Sequence, residues 1–317
     1  MVAAEANPSA RSVLPPEQLA RHARRVQFSG EDLSWDEPID RTKWFICPTL
    51  TPLYYTAAWH ELTDAQRLRY NQLAALCSNE LIGLFERTLQ PIFQNLVDAP
   101  FLPAALRALL PGFVADETRH AIVWHEMNRQ AEPLWYAAGP LKMVRLPAQV
   151  RLLLRLLTSH PARFPVVVWT ALILEEHSLE ITRRCLRCRL PMEPRFLAAL
   201  RLHAQDEARH VQIDWHVLEH LLKQLRGPSR RVNAWLVQRV IQRFLFKPVN
   251  AVMRVVETLA GEFEELGPRL VSIKQQLTGL SECSDYRRMI FSRESNPMSF
   301  EMGLRLAETR SFFQSLG

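Results

Sequence analysis

Two stretches ninety residues apart limit what this chain can fold into. DETRHAIVWHEM (Asp116–Met127) and DEARHVQIDWHVL (Asp206–Leu218) share an Asp-Glu-x-Arg-His core followed by Trp-His, and the second copy carries one extra residue before its Trp. In each copy a Glu and a His lie three apart (Glu117 and His120, Glu207 and His210), so on a helix they project from one face. A helical bundle that turns two such faces toward each other, and adds one carboxylate from each of two further helices, encloses a cage for two metal ions. Burying Glu117 and Glu207 on otherwise apolar faces is costly unless a metal or a firm ion pair offsets it. Iron accepts both carboxylate oxygen and imidazole nitrogen, which suits this mixture of ligands.

The rest of the chain supplies the helices. Thr63 followed by Gln66 reads as a capping box opening a helix that runs toward Val97. A second helix is expected from near Pro103 and carries the first repeat. A third opens around Pro161–Pro165 and passes through VVVWTALILEEHSLEITRRC, and a fourth runs from near Glu193 to Leu225, where RGPS ends it. No stretch alternates as a strand does. The expected fold is all-α, a ferritin-like four-helix bundle with additional N- and C-terminal helices. Residues 1–60, rich in Pro and Trp, read as an arm packing on the bundle. Residues 61–317 read as a single ferritin-like domain, with a metal-binding core at 63–225 and C-terminal helices at 229–317.

Composition narrows the classes. The 317 residues are 48% hydrophobic with only 10 Gly, as in a folded, helix-rich protein. A net charge of +6 is mildly basic, but no nucleic-acid motif accompanies it. The five cysteines are scattered, and the lone CxxC of Cys185 and Cys188 lacks a second pair, so reduced, inert thiols are expected. The N-terminus has no apolar signal core, and the longest apolar run, FPVVVWTALIL, is too short to span a bilayer. A cytoplasmic location, with no membrane partner, is the expectation.

The lone carboxylates are harder to pick. On the first helix Glu80 and Glu86 are six residues apart and point roughly 120° away from each other, so only one can face the site. On the third, Glu175, Glu176 and Glu180 compete. Glu176 lies below the apolar stripe of Trp169, Leu172 and Ile173, Glu175 is a near rival, and Glu180 sits among Arg183 and Arg184. Periodicity leaves both choices open. His203 lies four residues before Glu207 and shares its face. His125, His216 and His220 fall outside the inward stripe and are expected on the surface.

Taken with LHAQDEARH, the set resembles the diiron N-oxygenases typified by the p-aminobenzoate N-oxygenase AurF, over about residues 60–225. The resemblance implies seven ligands: Glu86, Glu117, His120, Glu176, His203, Glu207 and His210. Here the third histidine, His203, separates this family from most bundle diiron proteins. Asp116 and Asp206 each precede a ligand Glu and are expected to hold the histidine of the opposite repeat, Asp206 with His120 and Asp116 with His210. The resemblance further implies two iron ions that activate O2 as a peroxo species, with no catalytic residue beyond the ligands. The substrate would be a primary amine, aryl or amino-acid-derived, free or on a carrier protein, oxidised to a hydroxylamine, nitroso or nitro product in natural-product biosynthesis. Electrons would come from a ferredoxin or reductase, since no flavin or nicotinamide fingerprint is present; a homodimer is compatible with the chain. The alternatives are another diiron oxidation, C–H hydroxylation or desaturation, against which His203 counts, and a non-catalytic iron protein, against which the long C-terminal extension counts.

Overall fold

The computed structural model describes residues 13–23 and 30–316. Its body is four long helices: α1 (Asp64–Gln94), α2 (Leu110–Ala131), α3 (Val166–Arg187) and α4 (Pro194–Gln224). The capping box that opens α1 is present. Gln66 N–H donates to Thr63 Oγ1 at 3.3 Å, and Thr63 N–H donates to Gln66 Oε1 at 2.9 Å. Pro103 opens only a short helix, Ala104–Arg107, and α2 begins later, at Leu110, with a proline in its first turn where no donor is needed. Glu193 caps α4 by accepting the N–H groups of Arg195 and Phe196 at 2.8 and 2.9 Å. Only residues 188–193 join α3 to α4, which makes the two antiparallel neighbours. α1 packs chiefly on α2, α3 chiefly on α4, and the two pairs face each other across the bundle.

The fold is all-α. Among the described residues no strand forms, and one isolated bridge pairs Trp44 with Met192. That bridge pins the N-terminal arm to the α3–α4 connection: Trp44 N–H donates to Pro191 O at 3.1 Å, and Glu193 N–H to Trp44 O at 2.8 Å. Asn71 on α1 holds the next residues, accepting from the Phe45 and Ile46 N–H groups at 3.0 and 3.3 Å and donating to Ile46 O at 2.8 Å. Phe45 then stacks on Phe196 of α4, ring centroids 4.2 Å apart. The arm therefore closes one end of the bundle.

Two apolar cores fill the interior. One, at the arm end, includes Leu73, Leu76, Met127, Phe196 and Leu200; the other includes Leu89, Phe93, Phe113, Leu172 and Leu218. Between them, all four helices carry buried polar side chains, the layer described below. C-terminal helices wrap the outside: α5 (Val249–Glu262) lies along α1, and α6 (Pro297–Arg305) against α3. No helix among the described residues is long and apolar enough to cross a membrane.

Candidate metal centre

α2 and α4 deliver the two repeats face to face. Glu117, His120, Glu207 and His210 each offer one donor atom within 4.8 Å of the other three, and Glu86, His120 and His203 form a second such group. All six residues are at most 2% exposed. His210 Nδ1 stands 2.8 Å from Glu117 Oε1 and 3.6 Å from Glu207 Oε1, and His120 Nδ1 stands 3.4 Å from Glu207 Oε1. Yet Glu86 Oε2, both Glu117 oxygens, Glu207 Oε1 and His210 Nδ1 make no hydrogen bond. Lone pairs that converge without aligning on one another are aimed at shared points between them, as ligands of an ion are.

The far side of each imidazole is held. His120 Nε2 is 3.2 Å from Asp206 Oδ2, and His210 Nε2 is 3.3 Å from Asp116 Oδ2, the crossed pairing expected from the sequence. A carboxylate there fixes Nε2–H as the donor and leaves Nδ1 with its lone pair turned inward. Arginines hold the aspartates as well: Arg209 donates to Asp116 at 2.5 Å and to Asp206 at 2.9 Å, and Arg119 also pairs with Asp116. One guanidinium thus ties the two aspartates together. His203 is oriented the other way round. Its Nδ1 meets Ser178 Oγ of α3 at 3.2 Å, and its Nε2 lies 3.1 Å from Glu86 Oε1 and 2.9 Å from Glu207 Oε1.

Burial governs the charges. Desolvation pushes the Glu86 carboxyl up to about 8, against the pull of His120, and raises Glu117 well above the usual carboxylate range. His203 is driven down to about 3 by burial and by the nearby His210. Burial opposes protonation of His210 too, but Glu117 and Asp116 beside it raise it well above its ordinary value. Without an ion, burial favours the protonated forms of Glu86 and Glu117 and the neutral form of His203; a dication would displace the carboxyl protons.

Glu80 and Glu86 have different partners. The Glu80 carboxylate accepts from Tyr136 Oη at 2.7 Å and from the Met143 and Val144 N–H groups at 2.9 and 2.7 Å, fastening the segment after α2. Glu86 faces inward and accepts from Trp124 Nε1 at 2.9 Å.

On α3 the structure does not bring Glu176 into either group. Both its oxygens are engaged outside the bundle, Oε1 by Met298 N–H at 2.7 Å and Oε2 by Ser299 N–H at 2.9 Å, at the N-terminus of α6. Here the inward face of α3 is marked by Ser178, which meets His203, and Thr182, which donates to Leu200 O at 3.1 Å. Glu175 lies three residues before Ser178 on that face, 2% exposed, with its Oε1 lacking a hydrogen bond. Glu180 is buried and held by Arg183 and Arg184 at 2.5 Å. His125, His216 and His220 are half-buried rather than exposed, and His216 Nε2 lies 2.9 Å from Leu14 O. Burial pushes the Cys185 thiol up to about 12 and raises that of Cys188, which disfavours the thiolate at both.

Sequence reasoning missed Ser178 and Trp124. The first has no local signature, because its partner His203 is on another helix; the second was visible only as the Trp shared by the two repeats. No curated protein matches the chain. A family model, P-aminobenzoate N-oxygenase AurF, matches residues 13–267, and with that span covered the chain belongs to the AurF family.

Proposed function

We propose that the chain is a diiron N-oxygenase that oxidises a primary amine. The observation that carries this reading is the convergence of three buried imidazoles and three buried carboxylates from α1, α2 and α4, with His203 as the third histidine. Glu117, His120, Glu207 and His210 would hold one ion, and Glu86, with His203, the other. Glu175, on the inward face of α3, would complete the set in place of Glu176. When bound, the iron pair supplies O2 reduction and transfer of an oxygen atom to the amine nitrogen.

The protein's own residues do the rest. Asp116 and Asp206 fix the tautomers of His210 and His120, and Ser178 orients the ring of His203 so that its Nε2 faces inward. Trp124 orients Glu86. The flanking apolar cores exclude bulk water, which keeps the amine and the reduced oxygen from side reactions. The amine must arrive as the free base, because a protonated nitrogen has no lone pair to offer. Electrons are supplied by a separate ferredoxin or reductase.

The test is to load the metal-free protein anaerobically with ferrous iron, count the iron, and then add a chemical reductant, an amine and isotopically heavy O2. Two irons per chain and a product carrying heavy oxygen on nitrogen are expected. Hydroxylation at carbon with the amine untouched would overturn the reading.

A further inference from the structure

Twelve of the chain's 39 Lys and Arg residues, and none of its 33 Asp and Glu, fall in two stretches, residues 133–165 and 220–248. The rest of the chain therefore carries more acids than bases. The fold brings these stretches together. The first is the connection from α2 to α3, whose helix Ala148–Thr158 packs on α1 and ends beside Asn95, just past the end of α1. The second leaves α4 at its end and forms the helix Gly227–Arg239. Asn233 of that helix accepts from Val166 N–H at 3.2 Å and donates to Arg163 O at 3.1 Å. Since α1 and α4 both start at the arm, the two stretches meet at the end of the bundle away from it.

The helix Ala148–Thr158 spends few of its apolar residues on packing. Leu154, Leu157 and Thr158, three and four apart, turn toward the body, and of its eleven residues only Thr158 is buried. Leu152, Leu153 and Leu156 occupy the side away from the body, with Arg151 and Arg155 exposed along its edge. On Gly227–Arg239, Val232 and Trp235 share an outer face one turn apart, and the Arg239 guanidinium lies 5.4 Å over the Trp235 ring. These five apolar side chains are between 48% and 69% exposed. Among the described residues only two of the twelve cations, Lys223 and Arg230, pair with an acid.

We infer that this end of the bundle docks on an anionic lipid surface, the leucine stripe and Trp235 entering the headgroup region and the cations around them meeting the lipid phosphates. A helix with leucines on one face and arginines beside them lies in the plane of a membrane interface, and a neighbouring Trp adds to its hold. This departs from the expectation of no membrane partner, which rested on spanning segments. Crossing a bilayer needs a long apolar helix, which none of the described helices is, but lying on one does not. Charge chooses among the occupants. A second copy of the chain would set cation against cation across the contact. A nucleic acid would satisfy the cations and leave the leucines in water. An acidic protein would have to offer apolar seats to two separate helices, whereas a fluid bilayer conforms to both. Anionic lipid satisfies charge and stripe together. The docking does not depend on the chemistry at the metal centre.

The test is sedimentation of the full-length protein with vesicles, one set an equal mixture of phosphatidylglycerol and phosphatidylcholine, the other phosphatidylcholine alone. The protein is expected to pellet with the anionic set, to stay in solution with the other, and to be released by high salt. Leu152→Gln combined with Leu156→Gln should weaken binding about tenfold or more. Helical circular dichroism and the thermal midpoint should hold in that variant, since both side chains face solvent. Arg151→Gln and Arg155→Gln should each weaken binding about fivefold. Brominated phosphatidylglycerol should quench part of the parent's fluorescence, and Trp235→Phe should remove that quenching. No sedimentation with the anionic set, equal sedimentation with both, binding indifferent to the leucine pair, or quenching unchanged in Trp235→Phe would each overturn the inference. Duplex DNA or polyglutamate held as tightly as the anionic vesicles would overturn it in favour of a polyanionic partner. A dimer in solution that the leucine pair splits would overturn it in favour of a second copy.

Discussion

His203 Nε2 stands 2.9 Å from Glu207 Oε1, one turn along the same helix, while its Nδ1 reaches across to Ser178 on α3 at 3.2 Å. An imidazole held at one nitrogen and turned at the other toward two carboxylates does more than fill space. Removing it should therefore subtract a ligand: His203→Ala is expected to retain one iron firmly and lose the other on gel filtration, with the helical circular dichroism unchanged. Ser178→Ala leaves the imidazole in place but frees its orientation, and should weaken iron retention by about 10–100-fold. Metal analysis after dialysis against a graded chelator reads both. Two irons held by His203→Ala as tightly as by the parent would exclude ligation.

Glu175 and Glu176 are adjacent, and the structure gives them opposite work. Glu176 accepts two N–H bonds at the start of α6, so Glu176→Ala removes two charge-assisted hydrogen bonds and should destabilise the chain by about 2–3 kcal/mol. Protease cleavage near residues 291–297 should accelerate with it. Iron content should be nearly unchanged. Glu175→Ala is expected to show the converse, iron loss with little change in denaturation midpoint. If Glu176→Ala strips the iron and Glu175→Ala does not, the assignment on α3 is reversed.

What the sequence could show followed the range of each interaction. The capping box of Thr63 and Gln66 and the two Glu–His pairs are separations of three residues, so helical geometry alone made them readable. Glu86 was not separable from Glu80 in that way, because the groups that claim Glu80 belong to Tyr136, Met143 and Val144, more than fifty residues on. The α3 carboxylate was not separable for a related reason. Glu175 and Glu176 are adjacent and differ by about 100° on the helix, and what separates them is contact with Ser178, His203 and α6, all distant in sequence or on other helices. Phe45 and Ile46, at the arm end of the bundle, lie in a stretch of poor helical periodicity, and contacts with distant residues, Asn71 and Phe196, place them.

Asp116 and Asp206 are linked through Arg209 as well as to their histidines, so they should act as a coupled pair. Asp206→Asn keeps the shape but no longer enforces Nε2–H on His120, and should lower iron affinity about 10–100-fold. Asp116→Asn should do the same through His210. Since one guanidinium contacts both carboxylates, the double variant should cost less than the sum of the two, by a double-mutant cycle on chelator-competition data. Strict additivity would show that the arginine bridge transmits nothing.

The buried carboxylates make the metal-free and iron-loaded proteins respond oppositely to pH. Glu86 is raised to about 8, so in the absence of metal the folded chain keeps a proton that the unfolded chain has released above its ordinary value near 4.5. Stability from that group is complete below 4.5 and is lost as pH climbs toward 8. The raised Glu117 and His210 act with the same sign. His203, lowered to about 3, acts with the other: its contribution is complete above 6.5 and is lost as pH falls. Between 6.5 and 8 only the first set changes, so the melting temperature of the metal-free protein should decline across that window, and Glu86→Gln should flatten the decline. Iron must displace the same protons, so its binding should release acid into a weakly buffered solution and tighten as pH rises over the same range. A metal-free melting temperature that rises from pH 6.5 to 8 would mean the carboxylates are already ionised in the folded chain and paired with something other than an ion.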